Sequence, residues 1–120
     1  PRFISWPNNK NPIYRKVGKI AEFQWEFVLD GRSYSFGTLK RKDSGDTIAQ
    51  LPTTGPGSIN NDAYRTRSSL TATDRSRNFI TITFELRQIV RNDNAEYEFE
   101  VHTPSKSVKG PAKLVVVGKS

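Results

Sequence analysis

The chain has no cysteine and no methionine among its 120 residues, and it has a single histidine. Without cysteine it forms neither a disulfide nor a thiolate metal site, and cysteine usage gives no guide to its redox compartment. The lone histidine, His102, cannot build a histidine-rich metal centre. Long apolar runs are also missing, since no stretch approaches the roughly 18 residues that a membrane-spanning helix needs.

No arrangement of catalytic residue types stands out, so the sequence predicts no enzyme, no cofactor and no bound metal. The carboxylates are single or fall in turns, as at Asp43 and Asp46, where Asp is common. The stretch 55–60 contains two glycines but lacks the lysine and the following helix of a phosphate-binding loop, so we interpret it as a flexible turn. There is no Asn-x-Ser/Thr sequon, and we therefore expect no N-linked glycan.

Positive charge is in excess, since 19 lysines and arginines outnumber 12 acidic residues and give a net charge of +7. Such an excess favours nucleic acid, an anionic glycan or an anionic membrane surface as a partner. These cations are spread along the chain, which is more typical of a well-solvated surface. Phe23, Trp25 and Phe27 share the phase of Ala21, so we expect a buried aromatic ridge and no nucleic-acid-binding face.

Many short segments carry an apolar residue at every second position, which predicts β-strands and no helix of ordinary length. The clearest examples are the segments 19–28, 78–86 and 95–103. Turn signals such as Asp30–Gly31 and the stretch 43–46 separate the segments. About seven to nine such strands, with turns every 8–12 residues or so, predict an antiparallel sandwich or barrel. We expect a single domain over residues 1–120.

The stretch 93–99 reads Asp93-x-Ala95-x-Tyr97-x-Phe99. This motif resembles the end of an immunoglobulin-type domain, where the family pattern is Asp-x-Gly/Ala-x-Tyr-x-Cys. In that family the tyrosine hydroxyl bonds back to the backbone and forms the tyrosine corner. Phe99 stands where the family has a cysteine.

The spacing upstream of this motif extends the resemblance. The segment 18–25 follows the B-strand pattern Gly-x-x-Val-x-Leu-x-Cys, with Trp25 at the position of the cysteine. Phe36 falls near the core tryptophan of strand C, and Ile48 falls at an apolar position of strand C′. The stretch 51–65 is long enough for a C″ strand, which indicates the variable, or V-set, type.

The resemblance covers nearly the whole chain and implies an all-β, antiparallel Greek-key sandwich of the V-set immunoglobulin-like type without its disulfide. The structural residues that it implies are Trp25, Phe36, Arg67, Asp93, Tyr97 and Phe99. We expect Trp25 to pack on Phe99 in place of the missing bond. Arg67 resembles the D-strand arginine whose guanidinium pairs with the carboxylate of Asp93, and Arg65 is the alternative partner.

Cysteine-poor V-set domains of this kind resemble the ectodomains of the hydroid (cnidarian) allorecognition proteins. The resemblance implies an extracellular domain at the plasma membrane, the membrane-distal part of a larger protein that binds the same protein on an opposing cell. The membrane would be reached only through other parts of the full-length chain. A domain that binds a heparan-sulfate-like anionic glycan, a heterophilic receptor-binding domain and an intracellular cytoskeletal module are the alternatives, although the long 51–65 stretch counts against the last.

V-set domains commonly bind through the outer face of the G-F-C-C′-C″ sheet. If Phe36, Ile48 and Phe99 point inward, alternation sends a predicted partner-binding set outward. That set is Leu39, Arg41, Ala49, Leu51, Glu98, Glu100 and His102. Acids and bases on one face suit an isologous contact between two copies. Ordinary cross-strand ion pairs explain the same charges, and this alternative stays open.

Overall fold

The computed structural model describes residues 1–7 and 11–118, and short strands dominate them. In chain order the strands are β1 (Arg2–Ser5), β2 (Ile13–Lys16), β3 (Ala21–Val28), β4 (Phe36–Arg41), β5 (Thr47–Leu51), β6 (Ser58–Ile59), β7 (Ser68–Ala72), β8 (Phe79–Leu86), β9 (Ala95–Thr103) and β10 (Lys106–Val117). The helical elements are α1 (Asp62–Arg65) and a 3-10 helix (Arg91–Asp93). In the described part of the chain, neither helix has the length and apolarity needed to cross a membrane.

The strands form two sheets, as expected of an all-β sandwich. One sheet has the order β1-β3-β8-β7 and the other has the order β2-β10-β9-β4-β5-β6. Every pair is antiparallel except β2 and β10, so the prediction of a purely antiparallel fold is wrong at that edge. The strands β1 and β2 were not expected from the sequence. Both are four-residue strands, and in β1 the apolar Ile4 points toward solvent.

The core between the sheets is built from aromatic rings. Phe23, Trp25 and Phe27 are fully buried, so the predicted ridge is confirmed. Trp25 lies against Phe99 of the other sheet with ring centroids 5.5 Å apart, and its indole Nε1 donates to the carbonyl oxygen of Gly110 at 3.1 Å. Burial of each such ring contributes about 1.5–3 kcal/mol, so the pair links the sheets without a covalent bond.

Phe36 is not a core residue, and this corrects the expectation from the sequence. Its side chain is 44% exposed, whereas Leu39 lies inward and pairs with Phe99. A Cβ atom on Gly37 would lie 2.6 Å from the ring of Phe99. That ring therefore fills the space over β4 where a large strand-C side chain was expected.

The end of the sandwich that carries the 3-10 helix is held by a buried ion pair. Arg67 donates from Nη1 and Nη2 to the two carboxylate oxygens of Asp93 at 2.8 and 3.0 Å, and the Asp93 side chain is 3% exposed. The hydroxyl of Tyr97 donates to the carbonyl oxygen of Asp93 at 2.6 Å, which is the expected corner contact. Arg65 pairs with Asp62 instead, so the alternative register is wrong.

Candidate functional site

Strand β9 presents an acidic stripe on the outer surface of the six-stranded sheet. Its residues alternate strictly between buried and partly exposed, because Ala95, Tyr97, Phe99 and Val101 face the core. The acidic stripe consists of the intervening residues Glu96, Glu98 and Glu100, and His102 continues the same row. The sequence pattern therefore predicted the orientation of this strand correctly.

Lysines flank the acidic stripe on both sides. On β4, Lys40 lies directly opposite Glu98. On β10, Lys109 lies opposite Glu100 and Lys113 lies opposite Glu96. We use the term charged face for the acidic stripe together with Lys40, Lys42, Lys109 and Lys113.

Most charges of the charged face are not joined in close ion pairs. Lys42 Nζ lies 3.6 Å from a carboxylate oxygen of Glu96. Over residues 1–7 and 11–118, no carboxylate lies within 4 Å of the ammonium groups of Lys40, Lys109 or Lys113, and Glu98 has no cationic partner at that distance. These groups are therefore free to pair with charges on another molecule.

An aromatic pair lies at one end of the charged face. The rings of Phe36 and His102 are stacked with centroids 4.1 Å apart and an interplanar angle of 11°. The His102 Nε2 atom lies 3.4 Å from a carboxylate oxygen of Glu100, and Nδ1 lies 3.3 Å from the hydroxyl of Ser107. Beside Phe36 is a cavity of about 380 Å³ bordered by Pro52. An exposed aromatic side chain thus adjoins the charged residues.

Three residues of the predicted partner-binding set are buried, which corrects the sequence-based assignment. Leu39, Ala49 and Leu51 are fully shielded in the core. On β4 the assignment placed Phe36 inward, and a phase error of one residue along a strand sends every side chain to the other face. By alternation, Phe36, Thr38 and Lys40 share the outer side of β4, where Thr38 is only 7% exposed. On β5, Ile48 is buried as expected, but Ala49 and Leu51 are buried too. The reason is that the pairing of β5 with β4 shifts between Leu39 and Lys40, which breaks the alternation.

Arg41 also points away from the predicted face. Its Nε donates to the Asp43 carboxylate at 2.8 Å, and its Nη1 donates to the hydroxyl of Tyr64 at 3.1 Å. The hydrogen bond from Arg41 lowers the pKa of the Asp43 carboxyl below its usual range. Because the guanidinium is held by these two partners, Arg41 is not a neighbour of Glu98 or Glu100 as predicted.

Glu98, Glu100 and His102 keep the outward orientation that the sequence predicted, whereas the lysines of the charged face were missed. A signal for Lys113 was present, since Ala112 and Leu114 alternate with it on β10. The outward orientation of Lys40 was missed because two of the three inward residues of β4 are not apolar. These are Gly37 and Arg41, which share the inward phase with Leu39.

In the part of the chain that the structure describes, no group of three or more histidine, aspartate or glutamate residues has the arrangement needed to hold a metal ion. Compared with known proteins, the chain matches no protein-family model and no curated protein. The interpretation of the charged face therefore depends on its geometry and chemistry.

Proposed function

We propose that this chain is a V-set immunoglobulin-like recognition domain that acts outside the cell, as part of a cell-surface protein, by binding a second copy of itself. The strand order supports the fold assignment. In variable-type domains, strands A, B, E and D form one sheet, and C′ and C″ extend the G-F-C sheet. The orders β1-β3-β8-β7 and β10-β9-β4-β5-β6 correspond to these two arrangements, with β2 as a further edge strand.

The charged face is the observation that carries the proposed function. Its acidic stripe lies one strand away from lysines on either side, and neighbouring strands are about 4.8 Å apart. In the proposed contact, two such faces are related by a twofold axis that runs parallel to the strands, between β9 and β10. The acidic stripe of each copy therefore lies over β10 of the other copy. Glu100 then faces Lys109 and Glu96 faces Lys113, so one surface complements itself.

Phe36 is the apolar part of the same proposed contact. Interface energy is concentrated in a few aromatic and arginine side chains, and surrounding polar groups add orientation more than affinity. The exposed Phe36 ring, backed by His102, has this character. We expect weak binding by single domains, which becomes strong when many copies face each other across two surfaces.

A bead assay tests the proposal. Beads coated with the protein should clump, and the double variant Glu98→Lys/Glu100→Lys should disperse them because it turns the acidic stripe basic. The matched control is Glu22→Lys/Glu26→Lys, which makes the same charge change on β3 of the other sheet. Clumping that survives in the first variant and is lost in the control would move the contact to the four-stranded sheet.

The glycan alternative has a separate readout. If coated beads stay dispersed while heparin-agarose retains the protein above physiological salt, the net charge of +7 acts in binding an anionic glycan. If the beads clump and heparin does not compete, homophilic binding is supported. Clumping of protein-coated beads only with beads bearing an unrelated receptor would support the heterophilic alternative.

A further inference from the structure

A cavity of about 350 Å³ lies at the end of the sandwich where β3, β5 and β7 finish. The loops that follow these three strands enclose it, and it is separate from the charged face. Its lining includes serine and threonine hydroxyl groups and two guanidinium groups, together with the side chains of Leu29 and Tyr34. We call it the loop pocket, and its polar lining residues are Arg32, Ser33, Thr53, Thr54, Arg75 and Ser76.

Within residues 1–7 and 11–118, Arg75 is a buried cation without an acidic partner. The residue is only 6% exposed. Its Nη1 donates to the carbonyl oxygens of Ala72 and Thr73 at 3.1 and 3.3 Å. Its Nη2 donates to the carbonyl oxygen of Gly55, which joins two of the loops. Among the described residues, Nε has no hydrogen-bond partner and no carboxylate lies within 4 Å of the guanidinium.

The remaining groups around the loop pocket do not neutralise this charge. Burial raises the pKa of the Tyr34 phenol, so the group stays neutral, and it donates to the carbonyl oxygen of Leu51 at 2.7 Å. Arg32 adds a second positive charge and donates to the hydroxyl of Ser105. Among the residues that the structure describes, the loop pocket therefore has two guanidinium groups and no acid in its lining.

The nearest acid in sequence, Asp74, is engaged elsewhere. It borders a neighbouring cavity, accepts hydrogen bonds from the Ser76 amide and hydroxyl at 2.9 and 2.6 Å, and lies 3.7 Å from Arg77. The hydrogen bonds from Ser76 lower the pKa of the Asp74 carboxyl, and Arg77 and Arg75 contribute less. Asp74 thus lines the neighbouring cavity, which shares Thr53, Thr54 and Arg75 with the loop pocket, and does not line the loop pocket itself.

We propose that the loop pocket binds the anionic unit of a sugar, such as a uronate, with its carboxylate toward Arg75 and Arg32. A buried charge is costly unless it is paired, and guanidinium groups favour carboxylate and sulfate oxygens. Serine and threonine hydroxyls both donate and accept hydrogen bonds, as sugar hydroxyls do. The volume lies at the lower end of the range of roughly 300–1,000 Å³ for small-molecule pockets, which suits one sugar unit. This site does not depend on the proposed homophilic contact.

Titration with sodium glucuronate, followed by amide and arginine Nε–H NMR signals, tests this proposal. Saturable shifts are expected at Thr53, Thr54, Arg32 and Arg75, with glucose causing none. Inorganic sulfate and N-acetylglutamate should bind more weakly, because they lack the sugar hydroxyls. Sulfate or N-acetylglutamate binding as tightly as glucuronate would contradict the sugar assignment. Tight binding of N-acetylglutamate would indicate an acidic peptide as the ligand instead. No saturation up to about 0.1 M, far above a millimolar Kd, would overturn the site itself.

Variants distinguish binding in the loop pocket from nonspecific attraction of an anion to a basic protein. Arg32→Gln and Thr54→Val change exposed loop residues, so both proteins should fold, and Arg32→Gln should weaken glucuronate binding about tenfold. Arg77→Gln removes the same charge from a neighbouring, exposed position and should leave binding unchanged. Equal losses in Arg32→Gln and Arg77→Gln would overturn the proposal. The Glu98→Lys/Glu100→Lys protein should bind glucuronate normally whether or not beads clump.

Discussion

At the scale of single residues, Phe99 joins the two sheets without a covalent bond. Its ring contacts Trp25 of the opposite sheet and lies over the backbone of Gly37 in its own. Phe99→Ala would leave a cavity on both sides. We expect it to lower the free energy of unfolding by about 3–5 kcal/mol, measured by urea denaturation.

The matched control for this prediction is Phe36→Ala. It removes the same ring from an exposed position, where surface substitutions usually change stability by only about 0.5 kcal/mol. Similar losses in the two variants would contradict the core assignment of Phe99, and with it the account of how the chain holds its sheets together without cysteine.

Tyr97 makes stability depend on alkaline pH. Burial raises its pKa, chiefly through loss of solvation, and burial does the same for Tyr34. The unfolded chain therefore loses these protons first, near the usual tyrosine pKa of about 10. The stability contributed by the neutral phenols is complete below that pH. Above it, unfolding free energy should fall by about 1.4 kcal/mol per pH unit for each tyrosine.

Comparison of variants isolates the Tyr97 contribution. Tyr97→Phe loses the hydrogen bond to the carbonyl oxygen of Asp93, so it should be less stable at neutral pH. Its loss of stability above about pH 10 should nevertheless be less steep than that of the parent protein. Tyr14→Phe, which changes a residue that is 59% exposed, should keep the parent slope. An unchanged slope in Tyr97→Phe would contradict the assignment.

At the scale of whole elements, β4 shows how closely two strands of one sheet fit together. A Cβ on Gly37 would meet the Phe99 ring at 2.6 Å and the Tyr34 hydroxyl at 2.8 Å. Gly37→Ala should therefore lower the free energy of unfolding by about 1–3 kcal/mol through overpacking. The smaller side chain in Phe99→Leu should offset part of that loss, so the double variant should be more stable than additivity predicts.

Thermal or urea unfolding of the two single variants and the double variant measures this coupling. A strictly additive double variant would mean that Gly37 and Phe99 do not share the space, and that β4 and β9 have another register. The same comparison also tests the inward phase of Leu39, which is fixed by its pairing with Phe99.

How far the sequence predicted each element depended on whether core positions carried apolar side chains. In β3 and β9 the inward residues are apolar except Thr103 and the outward residues are polar except Val28, so both strands and their faces were predicted correctly. In β4 the inward row contains Gly37 and Arg41 while the outward row begins with Phe36, and the phase was wrong. Packing of β4 against Phe99 determines which residues of β4 face inward, and no pattern within the β4 sequence indicates that orientation.

At the scale of the whole molecule, the candidate site likewise has a part that a local sequence pattern predicts and parts that depend on how distant segments pack. The acidic stripe could be predicted because β9 alternates strictly. The lysines opposite it belong to β4 and β10, and their places depend on the pairing register between strands. The loop pocket, made from loops that follow three different strands, could not be predicted from spacing at all.

The central claim is that the charged face binds a second copy of itself through complementary charges, and a mixing experiment with two variants tests it most directly. Glu96→Lys/Glu100→Lys makes the acidic stripe basic, and Lys109→Glu/Lys113→Glu makes β10 acidic at the residues that face Glu100 and Glu96 across the proposed twofold axis. Beads carrying either variant alone should stay dispersed, because like charges meet. Beads of two colours, one for each variant, should form mixed clumps when combined. Clumping of either variant alone at the parent level, or no clumping of the mixture of two folded variants, would contradict the claim.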